Sequence, residues 1–326
     1  MKNLPTLSRR TLLGAAGLAL FAPALYAQGK AVPDMKPVQV SPHVWCIYTP
    51  HGEPTPENHG MISNVTFVVT RAGIVVLDTG GSLHIGRMAI RQIKKVSKKP
   101  VIALINTHFH GDHWLGNHAF IEAYGNKLPI YALSEATQFI KSEEGQQWVG
   151  LMERWTNKAT AGTQAIIPNA EVKNGQVLEF GDVSLKMHFY GRAHTIADLS
   201  VEVVQDKLTF VGDIAMTDRI GTFDEGSYAG TLRYFSELKK NAGDQLWLPA
   251  HGVASRDLLD TYGAFMSGIW ENCLKAVKDG KSESEAKALV LADPRVAIRA
   301  KTMQGFQNGI GKYISLAYLE AEKEAF

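Results

Sequence analysis

The sequence predicts a layered α/β fold that ends in a helical extension, and three patterns carry that expectation. Between residues 64 and 106, apolar strand-like runs alternate with a helical stripe, the order that lays helices on a sheet. From Gln176 the pattern changes to closely spaced strands with turn signals between them. From Ser255 the apolar residues recur only at helical spacing.

The elements follow in order. Residues 44–48 and 64–69 read as short strands. Residues 73–78 are a continuous apolar run that ends in Asp78-Thr79-Gly80-Gly81, a buried strand entering a turn. Ile85, Ala89, Ile93 and Val96 then mark one face of a helix, with Lys and Arg between them. After Pro100, residues 101–106 form another buried strand. Residues 134–157 read as one helical stretch carrying Trp148 and Trp155, and 161–174 are turn-rich. Strands are expected at 177–180, 183–190, 199–204 and 208–211, with a tight hairpin at Gly181-Asp182, and a last short strand at 245–249. In the tail, Leu258, Tyr262, Phe265, Met266, Ile269, Cys273 and Val277 share one helical face. Ser255 is the expected N-cap, Gly280 the stop, and Ser282 with Glu285 a capping box for a further helix. Residues 28–254 are therefore expected to form the main domain, and 255–326 a helical extension packed on it.

Composition narrows the function. The 326 residues are 45% hydrophobic and 20% charged, which excludes a disordered, collagenous or coiled-coil chain. A chain this long buries roughly three quarters of its unfolded surface and needs no disulfide framework. Two cysteines, Cys46 and Cys273, are too few for a disulfide scaffold or a Cys-rich zinc module, although they could pair. Lys and Arg number 34 against 32 Asp and Glu; without Lys2, Arg9 and Arg10 the count is 31 against 32. There is no basic excess for a phosphate backbone, so no nucleic-acid partner is expected.

Those three basic residues belong to an address. Ser8-Arg9-Arg10-Thr11-Leu12-Leu13 opens a mild apolar run to Leu25, interrupted by Gly14, Gly17 and Pro23 and followed by small residues. The run is too short to span a bilayer, and its charged start and small-residue end make residues 1–27 a signal peptide. The paired arginines point to twin-arginine export, so the mature chain is expected in the periplasm without stable membrane insertion.

Thr107-His108-Phe109-His110-Gly111-Asp112-His113 is the most informative segment. It follows a buried strand, where α/β folds tend to place ligand sites. Three histidines and an aspartate within six residues cannot all pack as core. Imidazole suits Zn, Fe or Mn, and Asp adds a hard anionic oxygen. His108 and His110 can grip one ion, while Asp112 and His113 can serve a second nearby. His194, Asp213 and His251 each stand as one polar side chain at the end of an apolar run. Five of the eleven histidines fall in this set, which favours ligands over isolated buried polar groups. His43, His59, His84, His118 and His188 fit no such position and read as structural.

These residues, in this order, resemble the metallo-β-lactamase superfamily from about Asn64 to Gly252. The resemblance implies a four-layer αβ/βα metallo-β-lactamase sandwich with metals at one edge between the sheets. It implies that His108, His110 and His194 bind one metal, that Asp112, His113 and His251 bind a second, and that Asp213 bridges both. It implies that Asp78 supports a ligand loop. Lactamases with a cysteine ligand place Cys where this chain has Asp213, and those with H-x-H-x-D-H generally lack the bridging Asp. The set looks more like glyoxalase II and its hydrolase relatives, as do Gly191-x-Ala193-His194-Thr195 and Leu248-Pro249-Ala250-His251-Gly252. With the export signal, Leu115-Gly116-Asn117 and the helical tail, the chain is most similar to periplasmic zinc metallohydrolases of the Sox-cluster and quinoprotein-relay type.

The implied chemistry is hydrolysis by two zinc ions, with iron or manganese as other occupants. Two ions sharing a carboxylate hold a hydroxide between them at neutral pH, so no Ser or Cys nucleophile is needed. The expected substrate is a small acyl compound: a thioester, ester or lactone. Asp112 is the candidate catalytic residue, relaying a proton to the leaving group. Three other readings remain: a β-lactamase, a mononuclear-iron oxidoreductase like the persulfide dioxygenases, and a non-enzymatic metal-binding accessory of a periplasmic redox partner. Residues 51–62, Trp114, and Arg219, Phe223, Asp224 and Tyr228 are candidates for lining the cleft.

Overall fold

A computed structural model describes residues 32–50, 52–217 and 219–325; the expected signal segment 1–27 lies outside the described residues. Seven strands form the first sheet in chain order: β1 (Val38–Gln39), β2 (Val44–Ile47), β3 (Val65–Val69), β4 (Ile74–Leu77), β5 (Val101–Ile105), β6 (Ile130–Ala132) and β7 (Ala170–Glu171). They pair antiparallel up to β4 and parallel from there on. The second sheet holds β8 (Val177–Glu179), β9 (Ser184–His188), β10 (Ser200–Val203), β11 (Leu208–Gly212) and β12 (Leu246–Pro249). Its first four strands are an antiparallel meander, and β12 joins β11 in parallel. The β8–β9 hairpin closes at Gly181-Asp182, where Phe180 N donates to Val183 O at 2.8 Å.

The helices are α1 (Leu83–Val96), α2 (Gly111–Trp114), α3 (Asn117–Tyr124), α4 (Ser134–Lys141), α5 (Glu143–Trp155), α6 (Tyr228–Ala242), α7 (Leu258–Lys278), α8 (Glu283–Ala292), α9 (Pro294–Ala297) and α10 (Phe306–Ala325). Three apolar cores separate four layers. Phe67, Val76, Ile85, Ala89 and Phe120 pack the first sheet's outer face against α1 and α3. Val68, Val75, Ile105, Met187, Val201 and Phe210 fill the space between the sheets. Val211 and Trp247 of the second sheet pack with α6, α7 and α10 through Tyr234, Phe265 and Tyr313. The result is the expected αβ/βα sandwich with a helical C-terminal part.

Three local expectations change. The stretch 134–157 is two helices. Ser142 is extended, its N–H donates to Phe139 O, and its Oγ caps α5 by accepting from Gly145 N. A Cβ on Gly145 would sit 2.3 Å from the Phe139 carbonyl, so the corner needs glycine. At the start of α7, Asp257 and not Ser255 is the N-cap, because the Ser255 backbone is paired with Trp247. Cys46 lies in the inter-sheet core and Cys273 in the outer one, and both are free thiols. The Ser282–Glu285 capping box forms as expected. Among the described residues no helix is long and apolar enough to cross a membrane.

Candidate metal centre

The loops after β4, β5, β9, β11 and β12 converge at one edge of the sandwich, and the chemistry-bearing residues ride on them. His108 follows β5, and His110 is the N-cap of α2, which carries Asp112 and His113. His194 lies between β9 and β10, Asp213 directly follows β11, and His251 follows β12. The structure brings all seven together. His108, His110, His194 and Asp213 form one group, and Asp112, His113 and His251 another, with ligand-capable atoms in each group within 4.8 Å of one another.

Asp213 faces both groups. Its Oδ2 lies 3.6 Å from His194 Nε2 and 4.0 Å from His108 Nε2 in one, and 3.5 Å from His113 Nε2 and 3.2 Å from His251 Nε2 in the other. Asp112 Oδ2 lies 3.2 Å from His113 Nε2 and 3.3 Å from His251 Nε2.

Four imidazoles are held from behind, which decides which nitrogen faces inward. His113 Nδ1 meets Asp78 Oδ2 at 2.9 Å, and His251 Nδ1 meets Ile62 O at 2.7 Å. His108 Nδ1 meets Thr107 Oγ1 at 3.0 Å, while His110 is reversed, with Nε2 at 2.9 Å from Glu225 Oε2. The inward atoms are then Nε2 of His108, His113 and His251, and Nδ1 of His110. This is the outer hydrogen bonding that fixes tautomer and aim in metal-ligating histidines. Buried His108 Nε2, His113 Nε2 and Asp213 Oδ1 have no hydrogen-bond partner. Unsatisfied buried acceptors of these types fit a borderline divalent cation.

Charge tells the same story. Burial works against ionised Asp112 and Asp213, yet the imidazoles of His113 and His251 outweigh it and hold both carboxyls well below the usual range. The same carboxylates overcome burial to raise His113 and His251. Burial pushes His194 down to about 3 and, with His113 beside it, His108 well below its ordinary value. His108 and His194, which are pushed down, thus belong to one group, and His113 and His251, which are pushed up, to the other.

Asp78 is the support expected of it. It is fully buried, and burial pushes its carboxyl up against the pull of His113 and Thr107. Besides His113 it accepts from Thr107 N and Thr107 Oγ1, both at 2.8 Å. Its φ of 54° is left-handed, unusual for Asp, and three hydrogen bonds hold it there. Thr79 N donates to His113 O at 2.7 Å, so the turn and the ligand helix are tied.

Sequence reasoning passed over Glu225 and Asn64 as site residues. Asn64 Nδ2 donates to Pro249 O and Gly252 O, and its N–H to Ala250 O, clamping the loop that carries His251. Glu53, Trp148, Met152, Trp155, Met216 and Arg219 line the cleft above the cluster. Of the other cleft candidates, Trp114 is fully buried and donates Nε1 to Phe109 O, Phe223 and Tyr228 pack in the outer core, and Asp224 pairs with Lys312. His51 lies outside the described residues. The remaining histidines have structural partners: His43 with Asp206, His84 with Ala161 O, His118 with Gln164 N and His188 with Glu202. His59 is the exception, with a buried Nδ1 lacking a partner.

A family model described as "Metallo-beta-lactamase superfamily" matches residues 60–278. The linear primary-alkylsulfatase of Pseudomonas sp. (strain ATCC 19151) is 36% identical over 63 residues, 18% of this chain. That match spans only 12% of the alkylsulfatase. A metallo-beta-lactamase from Pontibacter korlensis superposes with a TM-score of 0.57 at 18% identity, over 72% of this chain and 99% of that one. The stereoselective inverting sec-alkylsulfatase Pisa1 from Pseudomonas sp. gives 0.62 at 17% identity, over 78% of this chain and 45% of that one. At these identities the solved structures speak for the fold alone.

Proposed function

The chain belongs to the metallo-beta-lactamase superfamily, and from that premise we propose that it is a periplasmic dinuclear zinc hydrolase of small thioesters, esters or lactones. The family and the buried His and Asp clusters together imply divalent metal ions. The observation that carries the reading is the aim of the side chains. Four imidazoles are each fixed by one nitrogen from outside, and Asp213 Oδ2 stands within 3.2–4.0 Å of a nitrogen from each of four histidines spread over both groups.

In this proposal His108, His110 and His194 hold one ion, Asp112, His113 and His251 the other, and Asp213 both. Two such ions, when bound, supply water activation at neutral pH and polarisation of the scissile oxygen. Asp112 borders the cleft, and its carboxylate carries a proton towards the leaving group. Trp148, Met152 and Trp155 give the substrate's apolar part a wall and keep water from it. The Sox-cluster and quinoprotein-relay branch is the subfamily we favour, on the export signal, Leu115-Gly116-Asn117 and the helical tail. The Ser8-Arg9-Arg10 signal supports the location.

A second reading, hydrolysis of a sulfate ester, is favoured by the 63-residue match to an alkylsulfatase. A parallel panel separates the two: a short acyl thioester, a lactone, an alkyl sulfate and a cephalosporin, each with zinc-loaded and chelated protein. Turnover of the thioester or lactone, lost on chelation, is the expected result. Inert acyl substrates beside an active alkyl sulfate or cephalosporin would replace the reading, and turnover that survives chelation would remove it.

A further inference from the structure

Arg219 is a cation held beside the cluster without adequate partners. The residue is 6% exposed and borders the cleft with Asp112, Asp213 and His251. Its ion pair is with Glu53, at 3.5 Å, and the Glu53 side chain is 72% exposed. A pair that long and that wet is weak compensation for a buried guanidinium. Nε is buried with no hydrogen-bond partner. Nη1 lies 2.7 Å from His251 Nδ1, the same nitrogen that faces Ile62 O at 2.7 Å. With His251 Nε2 turned to the cluster, Nδ1 carries the proton that Ile62 O accepts. The guanidinium therefore meets a donor there and not an acceptor.

The backbone keeps Arg219 in this position. It forms a parallel bridge with Gln304, and Ile220 N donates to Gln304 O at 3.1 Å. The segment before α10 thus pins a residue of the cleft. Apolar side chains of Trp148, Met152, Trp155 and Met216 border the same space. A buried, pinned guanidinium at a cleft wall, with Nε unpartnered and Nη2 held only by the exposed Glu53, presents the flat fork of donors that carboxylate and sulfate oxygens accept from.

We infer that Arg219 recognises an anionic group on the substrate, so that the enzyme acts on esters carrying a carboxylate or a sulfate beside an apolar portion. The inference rests on the hydrolase reading but can fail separately from it. A carboxylate places the charge a few atoms from the scissile acyl bond, whereas a sulfate places it on the scissile group itself.

The test uses zinc-loaded full-length protein with succinate and inorganic sulfate as probes, titrated by calorimetry, beside elemental analysis. Arg219→Met is expected to weaken binding of at least one probe by tenfold or more while retaining its metals, with Arg219→Lys in between. Tighter succinate binding assigns the carboxylate, and tighter sulfate binding the sulfate. A second readout compares succinyl and butyryl thioesters: the ratio of their kcat/KM values should fall tenfold or more in Arg219→Met. Unchanged binding of both probes would overturn the inference. So would loss of the metals in Arg219→Met, which would make the residue a support for His251. A wild type that binds the probes through Arg219 but hydrolyses nothing would instead sink the hydrolase reading.

Discussion

Asp78 shows most simply how a buried side chain can govern a site it does not enter. It holds His113 through Nδ1 and Thr107 through two donors, all from a left-handed backbone position. Asn tolerates that conformation and can still accept from Thr107 N, but it lacks the charge that faces the His113 ring. Asp78→Asn should therefore fold and lose roughly 10–100-fold in metal affinity. A zinc titration with a competing chelator measures this, and an unchanged affinity would show that Asp78 serves the fold alone. The cluster itself was legible at this scale because four of its seven members fall within six residues. The others stand alone at strand ends, where chain order and family likeness identify them. Glu225 behind His110, and the Asn64 clamp, join residues far apart in sequence, and no local pattern encodes such a pair. Arg219 was only one of several cleft candidates until its burial and idle Nε were seen.

The elements were legible wherever an apolar run or stripe was long. The strands at 65–69, 101–105 and 208–212 and helices α1 and α7 fall within a few residues of their expected limits. The short strands β1, β6 and β7 carry too few residues to show a period. Helix α6 was passed over although Tyr228, Thr231, Tyr234, Phe235 and Leu238 mark its buried face and Ser227 its N-cap. Close packing of elements yields a stability prediction. Gly116 N donates to Gly80 O at 2.7 Å, and a Cβ on Gly116 would lie 2.0 Å from Thr79 O, backbone against backbone. Gly116→Ala must push the Asp78-Thr79-Gly80 turn from the ligand helix, at a cost of about 3 kcal/mol. Thermal melts should show a Tm lower by roughly 5–10 °C. Gly150→Ala in α5, with nothing within 4 Å of its Cβ, is the control and should be neutral or slightly stabilising. Equal melting of the two variants would refute the close approach.

At the scale of the whole molecule, two sheets and two helical layers hold a pocket of carboxylates and imidazoles that must balance its own charge. In the chain alone, Asp112 and Asp213 raise the ionisations of His113 and His251 and so favour their protonated forms. Divalent ions must displace those protons, so metal uptake should release them. Affinity should rise with pH through the raised ionisations of His113 and His251 and fall as the pH drops below them. Calorimetry in two buffers of different ionisation enthalpy reads the released protons, and zero release would contradict this charge balance. The helical tail belongs to the same construction. Glu320 of α10 accepts from Ser227 Oγ, Tyr228 N and Ala229 N at the start of α6, and Gln304 pins Arg219. On the proposed function, the seven His and Asp side chains would hold two divalent ions, with Asp213 shared between them. Elemental analysis of the purified wild type beside Asp213→Ala tests it most directly. About two zinc ions per wild-type chain and at most one in Asp213→Ala are expected; a single iron in active wild type, or an undiminished count in Asp213→Ala, would overturn the shared-carboxylate site.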